Sequence, residues 1–269
     1  MITVEFDRLT VKPGFKILDI GCGSGRHTCA AYQCRNVTAI GVDLNFDDLN
    51  EAKGRLQLHD RLGQHGGGIW ALSAADVIKL PFKDDYFDLV ICSEVLEHIL
   101  SHRAAIREIV RVLQPGCNLA VSVPRYWPER ICWFLSPAYA SSKGGHVRIF
   151  KQRQLISDLT SAGLSMWARH FAHSLHTPFW WLKCLVGPDR KDMPAVNLYH
   201  RFLTWDIMKK PRVTGLLDKL LNPLMGKSVV VYLKKNVEFG MRNDLNAEGE
   251  KKQRRKDCFE YTEWTNQST

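Results

Sequence analysis

"KILDIGCGSGRHT", residues 16–28, is the stretch that decides the fold. A short apolar run closes around Asp19, and Gly21, Gly23 and Gly25 follow at every second position. A strand that turns into a helix aims backbone N–H groups at whatever sits before the helix N-terminus. Glycine lets the chain turn tightly and lets a ligand approach with no Cβ in the way. The dinucleotide fingerprint is G-x-G-x-x-G, with a pyrophosphate against the turn. Here the spacing is G-x-G-x-G, and Asp19 stands two residues before the first glycine. A carboxylate at that point repels a pyrophosphate and suits a ligand carrying an ammonium or sulfonium group.

Outward from this turn, strand and helix signals alternate. Lys16–Ile20 reads as a strand and Ser24–Cys34 as a helix. Val37–Val42 is a second strand ending at Asp43, and residues 46–62 have helical spacing. Ile69–Leu72, Phe87–Cys92 and Asn118–Val123 are further strands. His102–Leu113 is an amphipathic helix with Ile106, Ile109, Val110 and Leu113 on one side. Such alternation predicts a parallel sheet with helices on both faces. After Pro124 the rhythm breaks, then resumes with a helix over 151–162 and strands over Leu164–Ala172 and 228–235. About fifty residues lie between these last two strands, where two to five suffice for a hairpin. Residues 174–226 therefore read as an inserted, helical cap. The expected division is a main domain of residues 1–173 and 227–235, that cap, and a polar, disordered tail over 236–269.

Composition narrows the class. The chain has 269 residues, 45% of them hydrophobic, enough for an ordinary core. No apolar window reaches the length of a membrane span, and "MITVEFDRLTVKPGFK" lacks the plan of a secretion signal. A cytoplasmic protein is expected. The eight cysteines form no CxxC pair and no zinc spacing, so free thiols and no metal are expected. The net charge of +9 is uneven. Residues 124–235 hold 18 basic and 6 acidic side chains and six of the eight tryptophans. That half faces something anionic, interfacial, or both.

"GVDLN", "AADVIKLPFKDDYFDLVICSEVLEHI" and "EIVRVLQPGCNLAVSVP" follow the glycine turn in order. With "ILDIGCGSGRHT", they resemble the class I S-adenosylmethionine-dependent methyltransferases, and most nearly the small-molecule group containing the ubiquinone- and menaquinone-biosynthesis enzymes. The resemblance is dense over 14–124 and looser over 146–164. It implies a Rossmann-like, seven-stranded, mainly parallel α/β sheet whose last strand is antiparallel. It also implies S-adenosyl-L-methionine as cofactor. Asp19, Gly21, Cys22, Gly23 and Gly25 would hold the methionine end. Asp43 would hold the ribose and Leu44 would pack on the adenine. Asp76 would take the adenine amino group with Val77 beside it, and Ser93 would lie near the methyl. Few residues precede the first strand, so closure is expected from 124–148 and 174–226.

The acceptor is less determined. Methyl transfer requires alignment, exclusion of water and, for a hydroxyl or carbon acid, a base. Glu94, His98 and His146 are the catalytic candidates. Each has a plainer role: helix cap for Glu94, structural ring for His98, loop tether for His146. "HSLHTPFWWLKCLVG", 173–187, suits an apolar acceptor channel, a peripheral membrane contact or a buried lid. The expected acceptor is small or lipid-like, and the charge excess allows an anionic one, methylated on oxygen or carbon. An RNA or tRNA methyltransferase is the alternative suggested by the basic half. The absence of an Asn-Pro-Pro-aromatic motif after the fourth strand weighs against it. A non-catalytic cofactor-binding scaffold is opposed by the intact Asp19, glycine turn, Asp43 and Asp76.

Overall fold

The structure, a computed structural model, describes residues 2–141, 145–187, 190 and 193–237. Seven strands form one sheet: β1 (Lys16–Ile20), β2 (Thr38–Asp43), β3 (Ile69–Ala74), β4 (Phe87–Ser93), β5 (Leu113–Pro124), β6 (Leu164–Ala172) and β7 (Ser228–Lys235). Their order is β3-β2-β1-β4-β5-β7-β6. The pairs from β3 to β5 are parallel, and β7 runs antiparallel to both β5 and β6. Six strands thus share one direction and the last opposes them, as expected.

Along the central strands successive side chains enter opposite cores. Leu18, Ile20, Val90 and Cys92 enter one core cluster, while Ile17, Leu89 and Ile91 enter the other. The first cluster is covered by α3 (His102–Val112) and α6 (Gln152–Ser161). Ile106, Ile109 and Val110 face inward from α3, and each such side chain stabilises by roughly 1.5–3 kcal/mol on burial. The second cluster lies under α1 (Arg26–Tyr32) and α2 (Phe46–Arg61), with Tyr32, Leu56 and the incoming Val4 and Leu9.

β5 begins five residues earlier than its apolar pattern, directly from the end of α3. Leu113 pairs with Phe87, then the register shifts until Asn118 pairs with Leu89. Gly116, at φ +75°, carries the chain through that irregularity. The buried Lys235 closes the same region from β7. Its Nζ donates to Asp85 Oδ1 at 2.6 Å and to the carbonyls of Val110 and Leu113 at 2.8 Å.

β6 is parallel to β1–β5, so its end at Ala172 lies on the edge of the sheet where β1, β2 and β4 also end. The segment after β5 leaves from that edge too. It contains α4 (Tyr126–Leu135) and the single turn α5 (Pro137–Ala140). Between β6 and β7 stand α7 (His176–Val186), α8 (Pro194–Lys209) and α9 (Arg212–Met225). Leu175, Phe179, Val196 and Leu203 make a small core of their own there. α7 meets α4 through the Trp181 indole N–H, which donates to the Pro128 carbonyl at 3.1 Å. Among the described residues no helix is long and apolar enough to cross a membrane. The seven described cysteines are free. Of the tail expected to be disordered over 236–269, residues 238–269, with Cys258, lie outside the described residues.

Candidate active site

The three glycines of the opening turn do three different things. All have positive φ: +62° at Gly21, +49° at Gly23 and +77° at Gly25. A Cβ on Gly21 would sit 2.3 Å from Val95 Cγ2, so this residue lets the loop after β4 close over the turn. A Cβ on Gly25 would meet the Ala52 Cβ at 2.9 Å, so Gly25 sets how closely α1 approaches α2. Gly23 faces open space. The turn is tied to β2 by the Asp43 carboxylate, which accepts from the Gly23 N–H at 2.8 Å and the Asn45 N–H at 2.9 Å.

Beneath the turn Asp19 is buried and accepts a 2.6 Å hydrogen bond from the Thr28 hydroxyl. Burial pushes its carboxyl up to about 7, against the pull of the Thr28 hydrogen bonds. Cys22 is also buried, its thiol donating to the Gly23 carbonyl at 3.6 Å.

A cavity of about 370 Å³ opens where β1, β2 and β4 end. Of the residues expected at the site, Gly21, Asp43, Leu44, Val77, Glu94 and His98 line it. Ile20, Asp48, Ala75, Val95 and Ile99 complete it. Cys22, Gly23 and Gly25 shape the turn beside it, and Asp19 lies below. Asp76 stands next to Val77, and its carboxylate accepts from the Ile78 N–H at 3.0 Å. Ser93 is one step back, its hydroxyl 2.8 Å from that of Ser122. The Ser122 hydroxyl donates to Glu94 Oε1 at 2.8 Å.

Position in the fold and donor chemistry fit an adenosine-bearing cofactor. The cavity lies at the carboxyl ends of parallel strands, beside the point where strand order reverses. Its wall joins a glycine that admits no Cβ, a carboxylate at the end of β2 and apolar Leu44, Ala75 and Val77. Asp43 would hold ribose hydroxyls there, with Leu44 and Val77 against the base.

The far wall is a cluster brought together over long sequence distances. Glu94 has φ +56°, and burial raises its carboxyl above the usual range. Glu97 and His98 form the short turn Leu96–His98. The Arg148 guanidinium clamps that turn by donating to the carbonyls of Leu96, Ile99 and Leu100. His146 comes from the segment after β5, its ring 4.9 Å from that of His98. His146 Nδ1 lies 2.6 Å from Oε1 of the buried Glu129 on α4. Glu97 and Glu129 were not among the sequence candidates. Glu97 stood within the quoted "EVLEHI", whereas nothing local marks Glu129.

A family profile described as a methyltransferase domain matches residues 18–121. The ubiquinone/menaquinone biosynthesis C-methyltransferase UbiE of Bordetella avium is 37% identical over 132 residues, covering 49% of this chain and 48% of that protein. Methyltransferase GfsG of Streptomyces halstedii is 32% identical over 120 residues, covering 44% of this chain and 40% of that protein. The chain thus spans less than half the length of these two relatives. The solved structure of a putative methyltransferase from Bacillus halodurans superposes with a TM-score of 0.57 at 18% identity, covering 86% of this chain and 96% of that one. Residues 18–121 thus match a methyltransferase domain, and the sheet around them has the fold of a solved methyltransferase structure, with S-adenosylmethionine the cofactor that such a domain implies.

Proposed function

We propose that the chain transfers a methyl group from S-adenosylmethionine to an oxygen or carbon atom of a small, lipid-like acceptor. The observation that carries this is the meeting, at one sheet edge, of the glycine-turn cavity with the Glu94, His98 and His146 cluster. The cofactor supplies an activated methyl on a sulfonium. Asp43 binds its ribose, Leu44 and Val77 flank the adenine, and Asp76 takes the exocyclic amine. Asp19, Gly21, Cys22, Gly23, Gly25 and Ser93 shape the methionine end. An acceptor hydroxyl or carbon acid gives up a proton as it is methylated. Glu94 and His98 line the cavity, with the His146 ring packed against that of His98, and in this reading they orient that acceptor and receive the proton.

Helices α7–α9 serve as the cap in this reading, with α7 packed on α4. The Trp180 ring lies between Tyr139, at 5.9 Å, and the Lys227 ammonium, at 4.8 Å. Trp127 and Trp181 pack at 5.5 Å. Aromatic walls with the Lys183 and Lys227 ammonium groups over Trp180 suit an apolar acceptor with an anionic or strongly polarised oxygen. UbiE, by its name, methylates carbon in quinone biosynthesis, which is in keeping with such an acceptor.

The tryptophan pair of 173–187 packs toward α4 and α5, while an exposed apolar stripe runs along α9. Val213, Leu216, Leu220 and Leu224 are each about seven-tenths exposed on that helix. Lys209, Lys210, Arg212, Lys219 and Lys227 lie in or beside it. An exposed apolar stripe edged with cations fits an anionic bilayer surface, where a lipid-like acceptor resides.

Calorimetric titration with S-adenosylmethionine tests the main reading. Asp43→Ala removes two charge-assisted hydrogen bonds of about 1.5–3 kcal/mol each, so affinity should fall by 10²-fold or more. Unchanged affinity in a folded Asp43→Ala protein would discard the site.

A further inference from the structure

We propose that Glu97, His98 and His146 form a binding site for one divalent transition-metal ion on the wall of the cavity. One ligand atom from each of the three lies within 4.8 Å of the other two. Donors around a bound zinc ion stand about 3–3.5 Å apart, given bonds of ~2.0–2.2 Å in tetrahedral geometry. Closure therefore needs side-chain adjustments of about an ångström.

Two features separate this cluster from an incidental one. Glu97 is 0% exposed, and neither carboxylate oxygen has a hydrogen-bond partner among the described residues. A buried carboxylate with no donor requires a proton or a cation. Both rings are also oriented through Nδ1. His98 Nδ1 is 3.2 Å from the Gly145 carbonyl, and His146 Nδ1 is 2.6 Å from Glu129 Oε1. A metal-binding histidine characteristically donates its other ring N–H to a carbonyl or carboxylate, which fixes the ring and raises its basicity. Glu129 is thus a positioning residue.

The backbone holds the two halves of the site together. The Val147 N–H donates to the Glu97 carbonyl at 2.9 Å, and Arg148 clamps the turn that carries Glu97 and His98. One carboxylate with two imidazoles suits Zn²⁺ and its neighbours Mn²⁺ and Co²⁺. His98 lines the cavity. On the methyl-transfer reading, an ion here takes an acceptor oxygen on its open positions and makes that oxygen more acidic, leaving Glu94 as proton acceptor.

The test is metal binding, measured without cofactor or acceptor. The full chain is stripped with a chelator and titrated with Zn²⁺ against a competing chromophoric chelator. One tight equivalent per chain is expected. Glu97→Gln and His146→Ala should each weaken it by more than about 100-fold, and Glu129→Gln by about 10–100-fold. Zn²⁺ should raise the melting temperature of the native chain and not that of Glu97→Gln. The amide keeps the side-chain shape and removes a buried charge, so metal-free Glu97→Gln should fold at least as well as the native chain. Absence of a tight equivalent, or one that survives both Glu97→Gln and His146→Ala, overturns the site. Titration of the stripped protein with S-adenosylmethionine separates the outcomes, because its binding does not depend on the ion.

Discussion

Replacing Gly21 with alanine should damage the turn through two separable costs. The first is conformational: φ is +62°, and an L-residue in that region pays about 1–2 kcal/mol. The second is steric: the new Cβ would lie 2.3 Å from Val95 Cγ2, far inside a carbon–carbon contact of about 3.5–4.0 Å. Overpacking of this kind costs about 1–3 kcal/mol. Together they take about 2–5 kcal/mol from a stability typically of 5–15 kcal/mol. For a chain of this size that lowers the melting temperature by roughly 5–15 °C. Val95→Ala removes the clashing methyl and leaves φ unchanged. Denaturant unfolding of Gly21→Ala, Val95→Ala and the double variant then forms a cycle with a favourable coupling of about 1–3 kcal/mol. The residual loss in the double variant should be the 1–2 kcal/mol of the backbone. If the two substitutions simply add, the loop after β4 does not rest on Gly21 and the description of the turn is wrong.

Asp19 makes stability depend on pH. Its carboxyl is raised from 3.8 to about 7, so the folded state loses stability as pH rises through 7 and carries no penalty below about 4. The difference is about 4 kcal/mol, and urea midpoints for Asp19→Asn should be flatter across pH 5–8; an equal slope removes Asp19 as its source. Lys235→Met strands two buried carbonyls and Asp85, and should cost about 3 kcal/mol in urea unfolding. A loss under about 0.5 kcal/mol would mean that this ammonium does not hold β7 to the end of α3. Leu216→Glu with Leu220→Glu should abolish sedimentation with phosphatidylglycerol vesicles while leaving the melting temperature unchanged. Undiminished sedimentation would move the membrane contact away from α9.

All seven strands are legible in the sequence: β1, β2, β4, β5 and β7 carry apolar runs buried in the sheet, while β3 and β6, at its two edges, are marked by short or mixed apolar segments between turns. The limits of β1, β6 and β7 coincide with the apolar runs. The start of β5 is not legible, because "QPG" reads as a breaker while Leu113 already pairs with Phe87. Asp43 is recognisable from its place at the end of a strand, and Leu44 and Val77 through the family resemblance. The Glu97, His98 and His146 cluster is not, since His98 and His146 meet across nearly fifty residues through a loop with no period of its own. Glu129 is likewise invisible, because its part depends on α4 folding back over that loop. The exposed stripe of α9 is not legible either, since exposure depends on which helix faces find partners. α7 finds α4, and the outer stripe of α9 does not find one among the described residues.

The opposed direction of β7 has a consequence for how this molecule can change. Ala172 and Ser228 are paired residues across the β6–β7 ladder, so α7–α9 leave and return at adjacent backbone points. In topology they are one overgrown hairpin connection. Lengthening such a loop from about five to about fifty-five residues costs only ~2 kcal/mol of closure entropy. That is small beside what the ladder and the Leu175, Phe179, Val196 and Leu203 core return. The helices can therefore be lengthened, exchanged or trimmed to a turn while the register of β6 on β7 and the glycine turn at the other side of the sheet stay as they are. The cofactor cavity is anchored at the ends of the strands, and α7–α9 hang from a single connection between two paired residues.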